Sequence, residues 1–408
     1  MAPFDSLWQN SLDDLAAAGR RRGLRVVERL DGAEAVIGGR RLVDFSSNDY
    51  LGLSRHPLLI QRARDYAGRW GAGSAASRLV RGNLAPFTAL EDRVATAKGC
   101  AAALILASGF QLNAAVLPAL LDAKVLGSEP VVLADRLVHA SLHHGIAAAG
   151  IRQTRFRHND LSHLEELLAR HAGRRCFVVT ESVFSMDGDR ADVPALVALC
   201  ERYDAFLYID EAHATGVLGE TGFGLTAGFG GRIGLVMGTF SKGLGGFGAY
   251  AAGSASLRDY LINRCGGLIY STALPPAVLG AIDAALELVP TLAAERTRLQ
   301  AMAEDFRAHL NAAGLDTGAS STQIVPVMLG AEERALRVAR ALEEQGFLGV
   351  AIRPPTVPPG TSRIRFALST LHSAEQVAQL AEAVVRCCQE APRPPAGEGV
   401  FTGNRVKE

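Results

Sequence analysis

Short apolar runs recur along the chain, and each ends in a polar or small residue. Residues 103–107, 131–134, 177–180, 205–209 and 235–237 are near-continuous hydrophobic stretches of strand length. Between them, apolar positions at helical spacing predict helices over 86–98, through Leu121, and over about 194–203. Strands that are apolar throughout, alternating with helices, predict an α/β fold whose parallel sheet is covered on both faces. Ahead of this region, Leu7, Leu12 and Leu15 predict an amphipathic helix over 7–22, closing in Arg20-Arg21-Arg22-Gly23. Residues 24–45 predict short strands around Gly38-Gly39, and a helix opens near Pro57. Behind it, 277–313 is helix-rich, apolar early and charged late, and 322–383 alternates strand and helix, with 323–327 a strand. The expected organisation is an N-terminal helix and arm (1–45), a large domain (46–282), a smaller domain (283–390) and a disordered Pro/Gly-rich charged tail (391–408). No internal repeat is visible.

The residues with chemical potential follow the strand ends, where open α/β sheets bind their ligands. The run 235–237 leads into Thr239-Phe240-Ser241-Lys242-Gly243-Leu244-Gly245-Gly246. A lysine held at a strand end by a glycine-rich loop is a candidate Schiff-base nucleophile, or else a plain surface lysine. The run 205–209 closes in Asp210-Glu211-Ala212-His213. A carboxylate ending one strand and a lysine ending a later one suit pyridoxal phosphate, whose ring nitrogen takes an acidic partner and whose aldehyde takes an amine. A carboxylate ~4 Å from a pyridinium contributes roughly 4 kcal/mol at an effective dielectric of ~20, favouring the protonated, electron-withdrawing ring.

Ser108-Gly109-Phe110 turns a strand into a helix, so its free N–H groups and dipole offer a phosphate cradle, or an ordinary turn. His139 follows the 131–134 run and can stack on a flat cofactor or be a satisfied core histidine. The arginines at 20–22 read as a solvated helix end or as an anion site. Prolines at 354, 355, 358 and 359 exclude a helix and would hold Arg353 on a rigid loop. The loop 71–78 is built of small residues, which allow close backbone approach.

Composition narrows the classes. The chain has 408 residues, with 42 basic and 42 acidic side chains, so no net charge recommends a nucleic-acid or membrane surface as partner. The six cysteines show no metal-ligand spacing and read as reduced thiols of a cytoplasmic protein; no metal site is expected. Asp5, Asp13 and Asp14 interrupt any secretory core, and no apolar run reaches membrane-spanning length.

These pieces together resemble the α-oxoamine synthase family of fold type I pyridoxal-phosphate enzymes, over about 7–385. The likeness is carried by Ser-Ser-Asn-Asp-Tyr-Leu-Gly-Leu (46–53), His-Ala-Ser-Leu (139–142), Val-Phe-Ser-Met-Asp-Gly-Asp (183–189), Asp-Glu-Ala-His (210–213), Thr-Phe-Ser-Lys (239–242), Tyr-Ser-Thr-Ala-Leu-Pro-Pro (270–276) and Ile-Arg-Pro-Pro-Thr-Val-Pro (352–358). The resemblance implies a large domain with a mostly parallel seven-stranded sheet and a smaller α+β C-terminal domain. It implies that Lys242 holds the cofactor and later moves the substrate's α-proton, that Asp210 pairs with the ring nitrogen, and that His139 stacks on the ring. His213 would bond the ring oxygen, Ser185 and Thr239 would orient the cofactor, and Gly109 and Phe110 would lie at the cradle. Arg353 matches the arginine that grips the amino-acid carboxylate. Arg20 and Thr356 match substrate contacts, and Asn48 and His139 are counted with them.

The implied reaction condenses an amino acid with an acyl thioester and releases CO₂. The motifs point to L-alanine and a pimeloyl thioester, on coenzyme A or a carrier protein. Sister enzymes taking glycine (5-aminolevulinate synthase, 2-amino-3-ketobutyrate CoA ligase) are the alternative, and a lysine-less regulatory subunit is disfavoured by Lys242 itself. The resemblance also implies a homodimer, with the loops 71–78 and 270–276 beside the neighbouring subunit's phosphate site. Ala75 and Ala76 stand where relatives are richer in glycine, a departure in that loop.

Overall fold

The computed structural model describes residues 3–391; the expected tail, from 392 on, lies outside them. A seven-stranded sheet organises the chain. Its spatial order is Ala102–Leu106, Ala249–Gly253, Leu235–Thr239, Phe206–Asp210, Cys176–Glu181, Val131–Asp135 and Thr154–Phe156. All neighbours are parallel except Ala249–Gly253, which runs antiparallel to both of its partners. The five apolar runs of the sequence are five of these strands. They are buried throughout, apart from half-buried Phe206.

Alternate residues of Ala102–Leu106 pack into different cores, as a sheet covered on both faces requires. Ala103 and Ile105 join the core that holds Phe45, Tyr50 and Phe240, whereas Leu104 and Leu106 join the one that holds Leu112, Val116 and Leu117 of the helix Gly109–Leu120. The in-register pairs Glu181↔Asp210 and Asp210↔Met237 set the carboxyl ends of three strands side by side. The functional loops leave from this edge.

The arm hairpin, Glu34–Ile37 with Arg40–Asp44, pairs in parallel with Phe347–Leu348. A separate antiparallel sheet joins Ile324–Gly330, Ser362–Ala367 and Val350–Ile352. The 277–313 segment is two helices, Pro276–Leu288, prolonged by the 3-10 turn Val289–Thr291, and Ala293–Ala312, bent by 75° between Pro276–Thr291 and Ala293–Ala312. Among the described residues no single helix is long and apolar enough to cross a membrane.

The first helix departs from expectation. It spans Pro3–Ala17, and the arginines follow it instead of capping it. Gly19, at φ 65°, donates to the Ala16 carbonyl, and Arg20 N–H reaches back to Leu15. This is a Schellman end, in which glycine takes the left-handed position that closes the helix. Phe4, Leu7, Trp8, Leu12 and Leu15 of this helix are exposed.

Behind the Asp210 strand end lies a buried ion pair. Lys98, 1% exposed, binds the Glu211 carboxylate, 0% exposed, and donates to the Phe223 carbonyl at 2.6 Å. Glu211 also accepts from Leu225 N–H (2.7 Å) and the Thr226 hydroxyl (2.5 Å). Satisfied this completely, the pair ties the 211–226 loop under the sheet edge; loss of one partner from such a pair costs about 3–5 kcal/mol.

Candidate active site

A cavity of ≈ 250 Å³ opens at the carboxyl edge of the sheet. Gly109, Phe110, His139, Asp210, His213, Thr239 and Lys242 all line it. They come from the carboxyl ends of four strands and the loops that follow them, so the alternation of strand and helix brings them together. A further cavity of ≈ 340 Å³ lies beside the arm hairpin, between Arg29, Asp44 and Arg55, and contains none of these residues.

Lys242 Nζ lies 2.8 Å from His213 Nε2. Burial lowers the lysine to about 8, against the pull of the Asp210 and Glu181 carboxylates, and Arg365 lowers it further. His213 Nδ1 is 2.6 Å from the Tyr50 hydroxyl. That hydroxyl donates to Asn48 Oδ1 at 3.0 Å, so its lone pair faces the ring and Nδ1 carries the proton. Nε2 then faces the lysine as an acceptor. Burial, with the charges of Lys242, Arg365 and His139, holds His213 well below its usual range, which keeps it neutral.

Asp210 Oδ1 accepts Ala212 N–H at 2.9 Å, and Oδ2 accepts Asn113 Nδ2 at 3.0 Å. Beside it, burial and then the Asp210 charge raise Glu181 well above the carboxylate range, and its Oε1 accepts the His139 backbone N–H. One further bracket lies behind this wall. His158 Nδ1 is 3.0 Å from Asp135 and its Nε2 is 2.8 Å from Asp189. With a carboxylate on each nitrogen, the ring is an imidazolium: burial opposes the charge, but both bonds overcome it and raise His158 to about 10. It links the strand end that leads to His139 with the loop that carries Ser185.

Apart from Phe110, which lines the rim, the remaining expected residues lie elsewhere. Phe110, at the cavity rim, is 51% exposed, its ring 5.4 Å from His144. Ser185 is buried outside the lining, and its carbonyl accepts Arg365 Nε at 2.5 Å. Asn48 Oδ1 takes the same guanidinium at 3.1 Å. Arg365 is itself outside the lining but reaches its wall through Tyr50, which holds His213, whereas Arg20, Arg353 and Thr356 neither line the cavity nor touch that wall. Arg20 pairs with Glu332, Arg353 donates to the Gly19 carbonyl at 2.6 Å, and Thr356 Oγ1 is 3.4 Å from Arg22. The Schellman end directs the chain so that this group forms at the arm.

Reading the sequence alone missed Arg365, Tyr50, Asn113 and Ser141. Arg365 had a signal: an arginine inside the apolar strand Ser362–Ala367 needs a buried partner. Asn113 stands one helical turn past Gly109, on the face that meets the sheet edge. Among the described residues, no cluster of three His, Cys, Asp or Glu side chains could hold a metal ion.

Residues 40–384 match the model of the aminotransferase class I and II family. The 8-amino-7-oxononanoate synthase of Gluconacetobacter diazotrophicus is 58% identical over 395 residues, 96% of this chain and 99% of that protein. The chain belongs to the 8-amino-7-oxononanoate synthase family. A protein of Paramagnetospirillum magneticum, provisionally given the same name, is 61% identical over 383 residues, 93% of this chain and 97% of that one. The fold is that of the fold type I transferases. A serine palmitoyltransferase from S. paucimobilis, holding a PLP–myriocin aldimine, superposes with TM-score 0.87 at 26% identity over 95% of this chain and 98% of that one. The aligned length, 96% of this chain, takes in the cavity, the arm and the C-terminal strands.

Proposed function

We propose that the protein is a cytoplasmic, pyridoxal-phosphate-dependent acyltransferase of biotin biosynthesis. It condenses L-alanine with a pimeloyl thioester to give 8-amino-7-oxononanoate, CO₂ and free thiol. The observation that carries this reading is one cavity holding a half-buried lysine, a strand-end carboxylate and two histidines.

The cavity fits the cofactor. Thr239 Oγ1 is buried with no hydrogen-bond partner among the described residues. At the helix N-terminus a Cβ on Gly109 would stand 2.7 Å from Thr239 Cγ2, so only glycine leaves the cradle open. When bound, the cofactor supplies an electron sink for the carbanion left by the departing α-proton. Asp210 would hold the ring nitrogen protonated, His139 would cover the ring face, and His213 would meet the ring oxygen. Lys242 would hold the cofactor through its amine and would move the α-proton, a role for which an amine near 8 is suited.

Arg365, aligned by Ser185 and Asn48, takes the alanine carboxylate. Arg353, Arg20 and Thr356, grouped at the arm, meet the thioester, carried on coenzyme A or on a carrier protein. Two steady-state series test the reaction: pimeloyl, succinyl and acetyl thioesters, each with alanine and with glycine. The highest kcat/KM is expected for pimeloyl with alanine. Preference for glycine with a short donor would place the chain with a sister synthase.

A homodimer is the expected active unit. The exposed apolar face of Pro3–Ala17 supports it, with Leu24, Val80 and Tyr270 also exposed. The loops 71–78 and 270–276 are joined, Ser74 Oγ donating to the Leu274 carbonyl at 2.6 Å, and so offer one continuous surface to a second copy. Light scattering on progressive dilution, with activity read alongside, is the check; a fully active monomer would refute the dimer.

A further inference from the structure

Asn113 does something that neither the family likeness nor the proposed reaction assigns. It is 1% exposed, on the helix Gly109–Leu120, and its side chain meets three others. Oδ1 accepts the Tyr208 hydroxyl at 2.7 Å. Nδ2 donates to Asp210 Oδ2 at 3.0 Å and to Ser141 Oγ at 2.9 Å. The orientation of the amide is settled by chemistry, because the reverse would set the amide oxygen against a carboxylate oxygen. Ser141 Oγ accepts from Asn113, and His139 Nδ1 lies 2.8 Å away, where the hydroxyl proton meets it once that nitrogen is an acceptor. That nitrogen also accepts Ser141 N–H at 3.2 Å, so it is bare and the proton sits on Nε2.

We propose that Asn113 is a positioning residue that fixes the ring-nitrogen partner and the ring-stacking histidine together. One amide aims Asp210 Oδ2 and, through Ser141, selects the neutral Nε2–H form of His139. A charge-assisted bond to a buried carboxylate has to be satisfied, and no other side chain donates to Asp210 in this structure's described residues. His139 is otherwise faced by Asp210, which favours its charged form, and by Lys242 and His143, which oppose it; its backbone N–H is held by Glu181. Ser141 donates to the neutral imidazole only, and so works with burial to keep the ring uncharged.

The inference rests on the proposed cofactor, and the experiment separates the two. Apo-protein is titrated with pyridoxal phosphate by absorbance and by quenching of intrinsic fluorescence, for wild type, Asn113→Leu and Ser141→Ala. Wild-type protein that takes up no pyridoxal phosphate would overturn the cofactor reading itself. Asn113→Leu is expected to bind pyridoxal phosphate about tenfold to a hundredfold more weakly, as loss of a hydrogen bond to a charged group predicts. Its kcat should fall by a similar factor, with the KM for alanine and thioester changed less than about threefold.

Ser141→Ala does not touch Asp210 and guards against simple misfolding of the first variant. It should keep wild-type cofactor affinity, while the acid limb of its kcat/KM profile moves up by about one pH unit as His139 gains a proton more readily. Wild-type cofactor affinity in Asn113→Leu, or an unmoved acid limb in Ser141→Ala, would overturn the proposal.

Discussion

Lys242→Ala should abolish the visible absorbance of the lysine-bound cofactor and lower turnover by at least about a thousandfold, since it removes both the covalent anchor and the base. The sequence holds four lysines, at 98, 124, 242 and 407. Lys98 is locked to Glu211 and the Phe223 carbonyl, and Lys124 is exposed on a short helix away from the cavity. Lys407 lies outside the described residues. Lys242 alone, among the described lysines, faces the cavity.

Its environment adds a pH signature. Burial lowers the amine to about 8, so the neutral, nucleophilic form becomes available below the usual lysine range. Capture of pyridoxal phosphate by apo-protein should then rise about tenfold per pH unit up to 8 and level off above it. An ordinary surface lysine would still be climbing at pH 9. Borohydride trapping followed by peptide mapping identifies the bonded residue. A Lys242→Ala variant that keeps the visible band, with label on another lysine, would defeat the assignment.

The strand ends were legible because burial on both faces leaves a plain signature. Five apolar runs each end in a polar or small residue, and the parallel register carries those ends to one edge. The Ala249–Gly253 strand gave no such signal. Its small residues, Ala-Tyr-Ala-Ala-Gly, lack a β-branched run, and its stability comes from two neighbours and from Tyr250, whose hydroxyl meets Thr215 Oγ1 at 2.8 Å. The first helix ends before the arginines because Gly19 already provides a left-handed stop ahead of Gly23. Four residues decided where three arginines go. Arg365, Asn48 and Tyr50 meet across more than 300 positions of sequence, and no local pattern reports a contact of that range.

Arg365→Ala should cut kcat/KM for alanine by about a hundredfold or more, the scale expected when one member of a buried, hydrogen-bonded charge pair is truncated. The family likeness points instead to Arg353 for the carboxylate, but the two side chains stand in different places. Arg353 spends a donor on the Gly19 carbonyl at 2.6 Å, at the arm. Arg365 is 7% exposed, its Nε fixed on the Ser185 carbonyl and its Nη2 within 3.1 Å of Asn48 Oδ1 and 3.4 Å of the Tyr50 hydroxyl. Tyr50 in turn holds His213, which holds Lys242. A carboxylate bound by Arg365 therefore lies one relay from the base that takes the α-proton, the alignment that raises kcat as well as affinity.

Arg365→Lys should not rescue, because an ammonium cannot keep Ser185 and Asn48 while offering a fork to substrate. Removing Arg365 also removes a positive charge that depresses Lys242, so the pH at which cofactor capture levels off should move upward from 8. Arg353→Ala should mainly raise the KM for the thioester, with the alanine KM and the capture profile close to wild type. Steady-state kinetics in both substrates, with the capture profile of each variant, separates the two arginines. Loss of alanine use in Arg353→Ala, with Arg365→Ala nearly intact, would return the carboxylate to the arm.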